Sequence, residues 1–155
     1  MPKFGYSWQG IGPKEGVVRA SIREARMSGK HARELAAWIK GMKTTQARVK
    51  LEEVLDGKTS VPFRRHKKKV AHRADLTGFY AGRYPQKAAR YFLSLIDTLE
   101  ANAQDRGLDA DNLKIIHTSA YVGRKLARYV PRAYGRSSPK MGPMVHVELV
   151  ARELT

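Results

Sequence analysis

Five histidines are the side chains in this sequence best suited to acid–base or metal chemistry, and their spacing works against both. His31, His66, His72, His117 and His146 form no HExxH motif and no His-x-His pair. With no cysteine in the chain, a zinc site would need carboxylates that do not lie beside them. The glycines of "GIGPKEG" (10–16) miss the GxGxxG spacing by one residue and follow no strand, so they read as a flexible lead-in. No GKS or GKT phosphate loop, GxSxG elbow or close carboxylate pair is present, and Glu52 and Glu53 read as solvated positions on a helix. A nuclease assembled from His66, His72 and Asp75 would lack a matched base, electrophile and pocket. The expectation is a protein that is not an enzyme, with no catalytic residue, no metal and no cofactor.

What the residue types do favour is the holding of phosphate. Thirty Lys and Arg stand against fourteen Asp and Glu, a formal charge of +16. Such an excess repels itself in a compact molecule and points to a polyanion as partner. The charge is concentrated in two acid-free stretches. "RRHKKKVAHR" (64–73) carries Arg64, Arg65, Lys67, Lys68, Lys69 and Arg73, with His66 and His72 among them. Between Asp111 and Glu148 there is no acid, while Lys114, Arg124, Lys125, Arg128, Arg132, Arg136 and Lys140 all fall there, interleaved with Tyr121, Tyr129 and Tyr134. Arg beside Tyr offers phosphate contacts together with faces for base stacking, the combination RNA binding uses. The plain alternative is a solvated basic loop, and a chromatin-like general nucleic-acid binder would share the same charge. A membrane partner fits poorly: there is no run of 18 apolar residues, and "MPKFGYSWQG" is too polar for a signal or an anchor. The absence of cysteine is consistent with a reducing cytosol.

These cations need elements to position them. Hydrophobic content of 42% in 155 residues suits one domain, residues 1–155, with a real core. Apolar residues at three- and four-residue spacing predict helices over 28–42 (Ala32, Leu35, Ala36, Ile39), 44–58 (Ala47, Leu51, Val54, Leu55) and 85–107 (Ala88, Phe92, Leu95, Ile96, Leu99, Ala103). Alternation predicts strands over 17–24 and 144–152, the latter with Val145, Val147, Leu149 and Ala151 inward and His146, Glu148 and Arg152 outward. Residues 113–130 read as a third strand, β-branched at its start and basic at its end. The fold class expected is α+β: a small antiparallel sheet packed against three helices, with a long projecting β-hairpin. An outbound arm of 113–130 would span on the order of 60 Å at about 3.3 Å per residue. A domain of this size has a radius of gyration of about 15 Å. The far half should therefore leave the core and be ordered by a narrow, negatively charged passage.

The pieces "ARMSGKHARELAAWIKGM", "VPFRRH", "AGRYPQKAA", "NAQDRGLDADNLKIIH" and "PRAYGRSSP" run in order along nearly the whole chain. They resemble the universal large-subunit ribosomal protein "L twenty-two" family, in its archaeal and eukaryotic branch, whose eukaryotic member is called "L seventeen". The resemblance implies a body of 15–112 and 144–155, a branch-specific insertion at about 57–84 and a tunnel hairpin at about 113–152, its tip near 131–139. It implies rRNA contacts at Arg26, Lys30, His31, Arg64, Arg65, His66, Lys67, Lys68, Lys69, His72, Arg73, Arg83, Arg124, Lys125, Arg128, Arg132, Arg136 and Lys140. Pro131, Arg132, Ala133, Tyr134, Gly135 and Arg136 would form the tip. The implied partners are large-subunit rRNA, neighbouring proteins including the "L four" family at the tunnel constriction, and the nascent polypeptide; the implied location is the cytoplasm, in the large subunit. The return arm, "KMGPMVHVEL", has fewer cations than is usual in the family, with His146 where a basic segment is common, which implies less RNA contact there.

Overall fold

The strand with the most continuous apolar sequence lies at the centre of the sheet. In the computed structural model, which describes residues 5–10 and 16–154, strand β1 (Val17–Ala25) and strand β4 (Leu113–Leu126) flank strand β7 (Gly142–Glu153) in an antiparallel order β1-β7-β4. Val17 faces Arg152 across one ladder, and Leu113 faces Glu153 across the other. A central strand is covered along both edges, and here on both faces too: every residue from Val145 to Ala151 is buried. The expected outward turn of His146 and Glu148 is therefore corrected, since both are buried, at 6% and 0% exposure. Most of the "GIGPKEG" lead-in lies outside the described residues.

Three helices cover one face. Helix α1 (Gly29–Ile39) packs on β4, α3 (Gln86–Gln104) on β1, and α2 (Thr44–Leu55) on α3. Their apolar stripes, Leu35 and Ile39, Leu51 and Val54, Phe92, Leu95, Ile96 and Leu99, enter one core with Ile115, Val147 and Leu149. Each helix ends three residues before the expected boundary, because the last residues form a capping turn rather than a further helical turn. At α2, the Lys58 amide reaches back to the Glu53 carbonyl, and Gly57 sits at φ 75°, a left-handed conformation that glycine adopts at little cost.

Residues 57–84, for which the sequence carries no legible pattern, form a long loop closed at its neck. Strand β2 (Val61–Pro62) pairs with β3 (Gly82–Arg83), His72 bridges to Ala81, and the Asp75 carboxylate accepts the Ser60 amide at 2.7 Å. That hydrogen bond holds the Asp75 carboxyl below its usual range, so Asp75 is engaged in closing the loop.

The basic stretch after Leu113 is less regular than one strand. β4 ends at Leu126, and pairing resumes as β5 (Tyr129–Pro131) with β6 (Ser137–Pro139), the Lys140 amide meeting the Arg128 carbonyl between them. Pro143 opposite Lys125 and Pro139 opposite Tyr129 remove amide donors from the return arm, which accounts for the break. The reversal is closed by the Arg132 amide to the Arg136 carbonyl (2.8 Å) and the Arg136 amide to the Ala133 carbonyl (3.3 Å). Both central residues, Tyr134 at φ 56° and Gly135 at φ 66°, are left-handed, the geometry of a type I′ turn. No residue from Val122 to Met144 is buried, and Tyr134 is 99% exposed.

Candidate nucleic-acid interface

The first basic stretch is organised by an acid. Glu34 on α1 is 4% exposed, and its carboxylate accepts three consecutive backbone amides: Arg64 at 3.1 Å, Arg65 at 3.0 Å and His66 at 2.7 Å. With these amides directed inward, the side chains of the same residues line the surface. Lys30, His31, Arg65, His66, Lys68 and Arg83 form a cleft of about 280 Å³, with Phe63 at its base. An adjoining groove of about 430 Å³ runs between Arg33, Trp38, Arg64 and Arg65. His31 packs edge-on against Phe63, with centroids 5.3 Å apart. Burial, and secondarily the Arg83 charge, push its pKa below the ordinary value, so His31 enters the cleft as a neutral ring at neutral pH.

In and around the cleft, three of the cations lie on rings or a carbonyl. Arg64 stacks over Phe79 at 5.1 Å and Arg73 over Tyr84 at 5.0 Å, while the Arg83 guanidinium donates to the Lys69 carbonyl at 3.2 Å. Lys67, Lys68 and Lys69 are exposed, as is His72, which meets Tyr80 edge-on at 4.9 Å. On the second stretch, Arg26, Arg128 and Lys140 line a shallow recess of about 90 Å³ with Leu126 and Met141 where β4 gives way to β5. Arg124, Lys125, Arg132 and Arg136 are exposed. Of the residues expected to face RNA, the structure brings Lys30, His31, Arg65, His66, Lys68 and Arg83 together in the α1 cleft and Arg26, Arg128 and Lys140 at the recess; Lys67, Lys69, His72, Arg73, Arg124, Lys125, Arg132 and Arg136 line neither.

The acids are engaged elsewhere. Among the described residues, ion pairs join Arg23 to Glu148, Arg48 to Asp97 and Glu100, and Lys58 to Asp56, and none involves a cation expected to face RNA. Among the described residues those cations form no ion pair with a protein carboxylate, which leaves them able to take phosphate. Among the described residues no three of His, Asp and Glu assemble as a metal ion would require.

Two residues that matter escape a reading by pattern: Glu34 and Glu148. The Glu148 carboxylate lies under the sheet's second face, taking the Ser7 amide (2.9 Å), the Ser7 hydroxyl (2.8 Å) and the Tyr121 hydroxyl (2.8 Å), with Arg23 at 3.9 Å. A signal for both exists in the sequence. Glu34 is the lone acid between Lys30 and Lys40, and Glu148 is the first acid after the long stretch that begins beyond Asp111. Each is an acid isolated among cations, and each holds internal partners. His146 is likewise internal, accepting the Glu24 amide on Nδ1 at 3.2 Å.

Residues 20–152 match the family described as "Ribosomal protein L22p/L17e". The chain belongs to this family. Among its relatives is the "Large ribosomal subunit protein uL22" of Cenarchaeum symbiosum, 50% identical over 153 residues that cover 99% of each chain. The protein of the same name from Nitrosopumilus maritimus is 46% identical over 99% of this chain and 100% of its own. That from Archaeoglobus fulgidus is 52% identical over 87% of each. L22p/L17e members are structural proteins, so the chain is not an enzyme. Three of its acid–base side chains act within the fold: Asp75 closes a loop, His146 accepts an amide, and Glu34 holds the amides of the basic segment 64–66.

Proposed function

We propose that this protein is a structural constituent of the large ribosomal subunit that binds large-subunit rRNA, supports subunit assembly and lines the nascent-peptide exit tunnel with its paired arms. In this reading the body, 15–112 and 144–155, holds the α1 cleft and the 57–84 insertion against rRNA. Residues 113–152 extend as the tunnel hairpin, with Pro131 to Arg136 at the tip beside the "L four" family protein and the nascent chain. The location that goes with this role is the cytoplasm, within the large subunit. One observation carries the reading: a run of 36 residues from Asn112 to Val147 without an acid, paired as two arms, whose exposed cations have no carboxylate partner among the described residues. An isolated two-stranded ribbon is marginal in water, and phosphate on both sides would supply the countercharge that it lacks.

Co-sedimentation through a graded salt wash tests this. The protein is expected to remain with large subunits at moderate salt and to leave at high salt. Equal retention on duplex DNA and on rRNA, with no association with subunits, would instead favour a general basic nucleic-acid binder of the chromatin type.

A further inference from the structure

We propose that Glu34, an acid, is a positioning residue for RNA binding: its grip on the amides of Arg64, Arg65 and His66 shapes the cleft of Lys30, His31, Arg65, His66, Lys68 and Arg83 into a seat for a phosphodiester of the RNA backbone. This rests on the rRNA-binding reading and names a site and a device within it.

Three features of the geometry converge. First, three consecutive amides on one carboxylate, at 3.1, 3.0 and 2.7 Å, fix the backbone of residues 64–66 with charge-assisted hydrogen bonds, the stronger kind. Three consecutive N–H groups turned to one side can take an anion, and here the protein meets them with its own buried carboxylate, Arg64 on Oε2 and Arg65 and His66 on Oε1. The side chains of Arg65 and His66 are thereby held on the cleft. Second, the cleft gathers groups from three separate parts of the chain: the first turn of α1, the loop after β2, and β3. Such an arrangement is meaningful only if the loop is held in register with the helix, and Glu34 is the residue on α1 that does so. Third, the site is roomy enough for one phosphate group, at about 280 Å³, and no acid lines it. His31, kept neutral by burial and by Arg83, supplies a ring N–H and a flat surface against Phe63 without adding to the repulsion among the cations.

The sign of the effect separates positioning from simple charge. Glu34→Gln removes a negative charge, so if net charge alone governed affinity the variant would bind RNA as well as the native protein or more tightly. Positioning requires the reverse. The expected result is a roughly three- to tenfold loss of affinity for a large-subunit rRNA fragment at fixed salt, measured well below a thermal midpoint that is itself lowered by the lost acceptor. Glu52→Gln, an equal change of charge at an exposed position on α2, serves as control and should leave binding unchanged or slightly tighter. Glu34→Asp keeps the charge but shortens the reach to the three amides, and is also expected to weaken binding. In the native protein, hydrogen exchange should find the amides of 64–66 protected before RNA is added. If Glu34→Gln proves too unstable to measure, Glu34→Asp together with the exchange result decides the matter. Native-like or tighter binding by a folded Glu34 variant, or unprotected amides at 64–66, overturns the proposal. A native protein that binds no rRNA overturns the functional reading beneath it, which is a different result.

Discussion

Glu148 shows how one side chain ties the sheet's second face together. Burial resists its ionisation, but hydrogen bonds from the Ser7 amide, the Tyr121 hydroxyl and the Ser7 hydroxyl, with the Arg23 charge, outweigh that resistance and bring the carboxyl below its ordinary range. A carboxyl whose folded pKa is depressed binds fewer protons folded than unfolded at acid pH. Its stabilising contribution is therefore complete above the ordinary glutamate value of about 4.3 and is lost as pH falls through the lower folded value. Urea unfolding between pH 7 and pH 3 should show this acid limb, and Glu148→Gln should flatten it. Glu148→Ala, which strands the Ser7 and Tyr121 donors, should cost about 3 kcal/mol at neutral pH by the same measurement. A native-like midpoint for the alanine variant would mean that the cluster is incidental. Gly123 is a second such residue, for steric reasons: a Cβ there would run into the His146 ring. Gly123→Ala should lower stability by about 1–3 kcal/mol as that ring is displaced from the Glu24 amide, read from the denaturation midpoint.

Among the elements, the lysine run of the 57–84 loop is dispensable to folding on the present geometry. Lys67, Lys68 and Lys69 are exposed, and the loop is closed at its neck by β2–β3 and by Asp75 rather than by these side chains. Replacing all three by Gln should weaken rRNA binding severalfold while shifting the thermal midpoint little, measured by filter binding and by circular dichroism. Unfolding of the triple variant would make the run structural. How far such elements can be read from sequence depends on what encodes them. The three helices were legible because apolar residues recur at helical spacing and each run ends near a glycine or begins near a proline; the strand 17–24 was legible by alternation. β7 was located but misread on one face, since Glu148 and His146 look outward by alternation and are buried by partners far away in sequence, Ser7 and Glu24. The 57–84 loop was illegible because its order comes from hydrogen bonds such as that between Asp75 and Ser60, which leave no periodic trace. The cations of the proposed site stand out by composition. Glu34 is marked in the sequence only by its isolation among cations; which groups it holds is not legible there, because its partners are backbone amides.

At the scale of the whole molecule, the hydrophobic core and the basic arms are separate in the sequence and in the burial pattern. The core joins α1, α2 and α3 to β1, to the first residues of β4 and to the body end of β7, through residues such as Val18, Ile115, Val147 and Leu149. Residues 122–144 contribute no buried side chain to it. Folding and RNA contact should therefore respond to different perturbations. Added salt should reduce rRNA affinity steeply, with a negative linear slope of log affinity on log salt, because neutralised phosphates release counterions, while the folding midpoint moves little. A flat salt response would remove the electrostatic basis of the functional proposal. Shortening the tip tests the separation more sharply. Removing Tyr134 to Ser138 deletes the left-handed pair Tyr134 and Gly135, Arg136, and the two serines paired with Val130 and Pro131, leaving Arg124, Lys125 and Arg128 in place. The thermal midpoint of the shortened protein should be close to native, since none of the deleted residues is buried. Its incorporation into large subunits should persist on the contacts of the body and the proximal arms. What should change is the pausing of a nascent chain that is sensitive to the tunnel, because the deleted turn is the part proposed to meet it. Loss of incorporation would make the tip an assembly anchor. Unchanged pausing in fully incorporated subunits would mean that the tip does not reach the path of the chain, leaving a protein that binds rRNA without lining the tunnel.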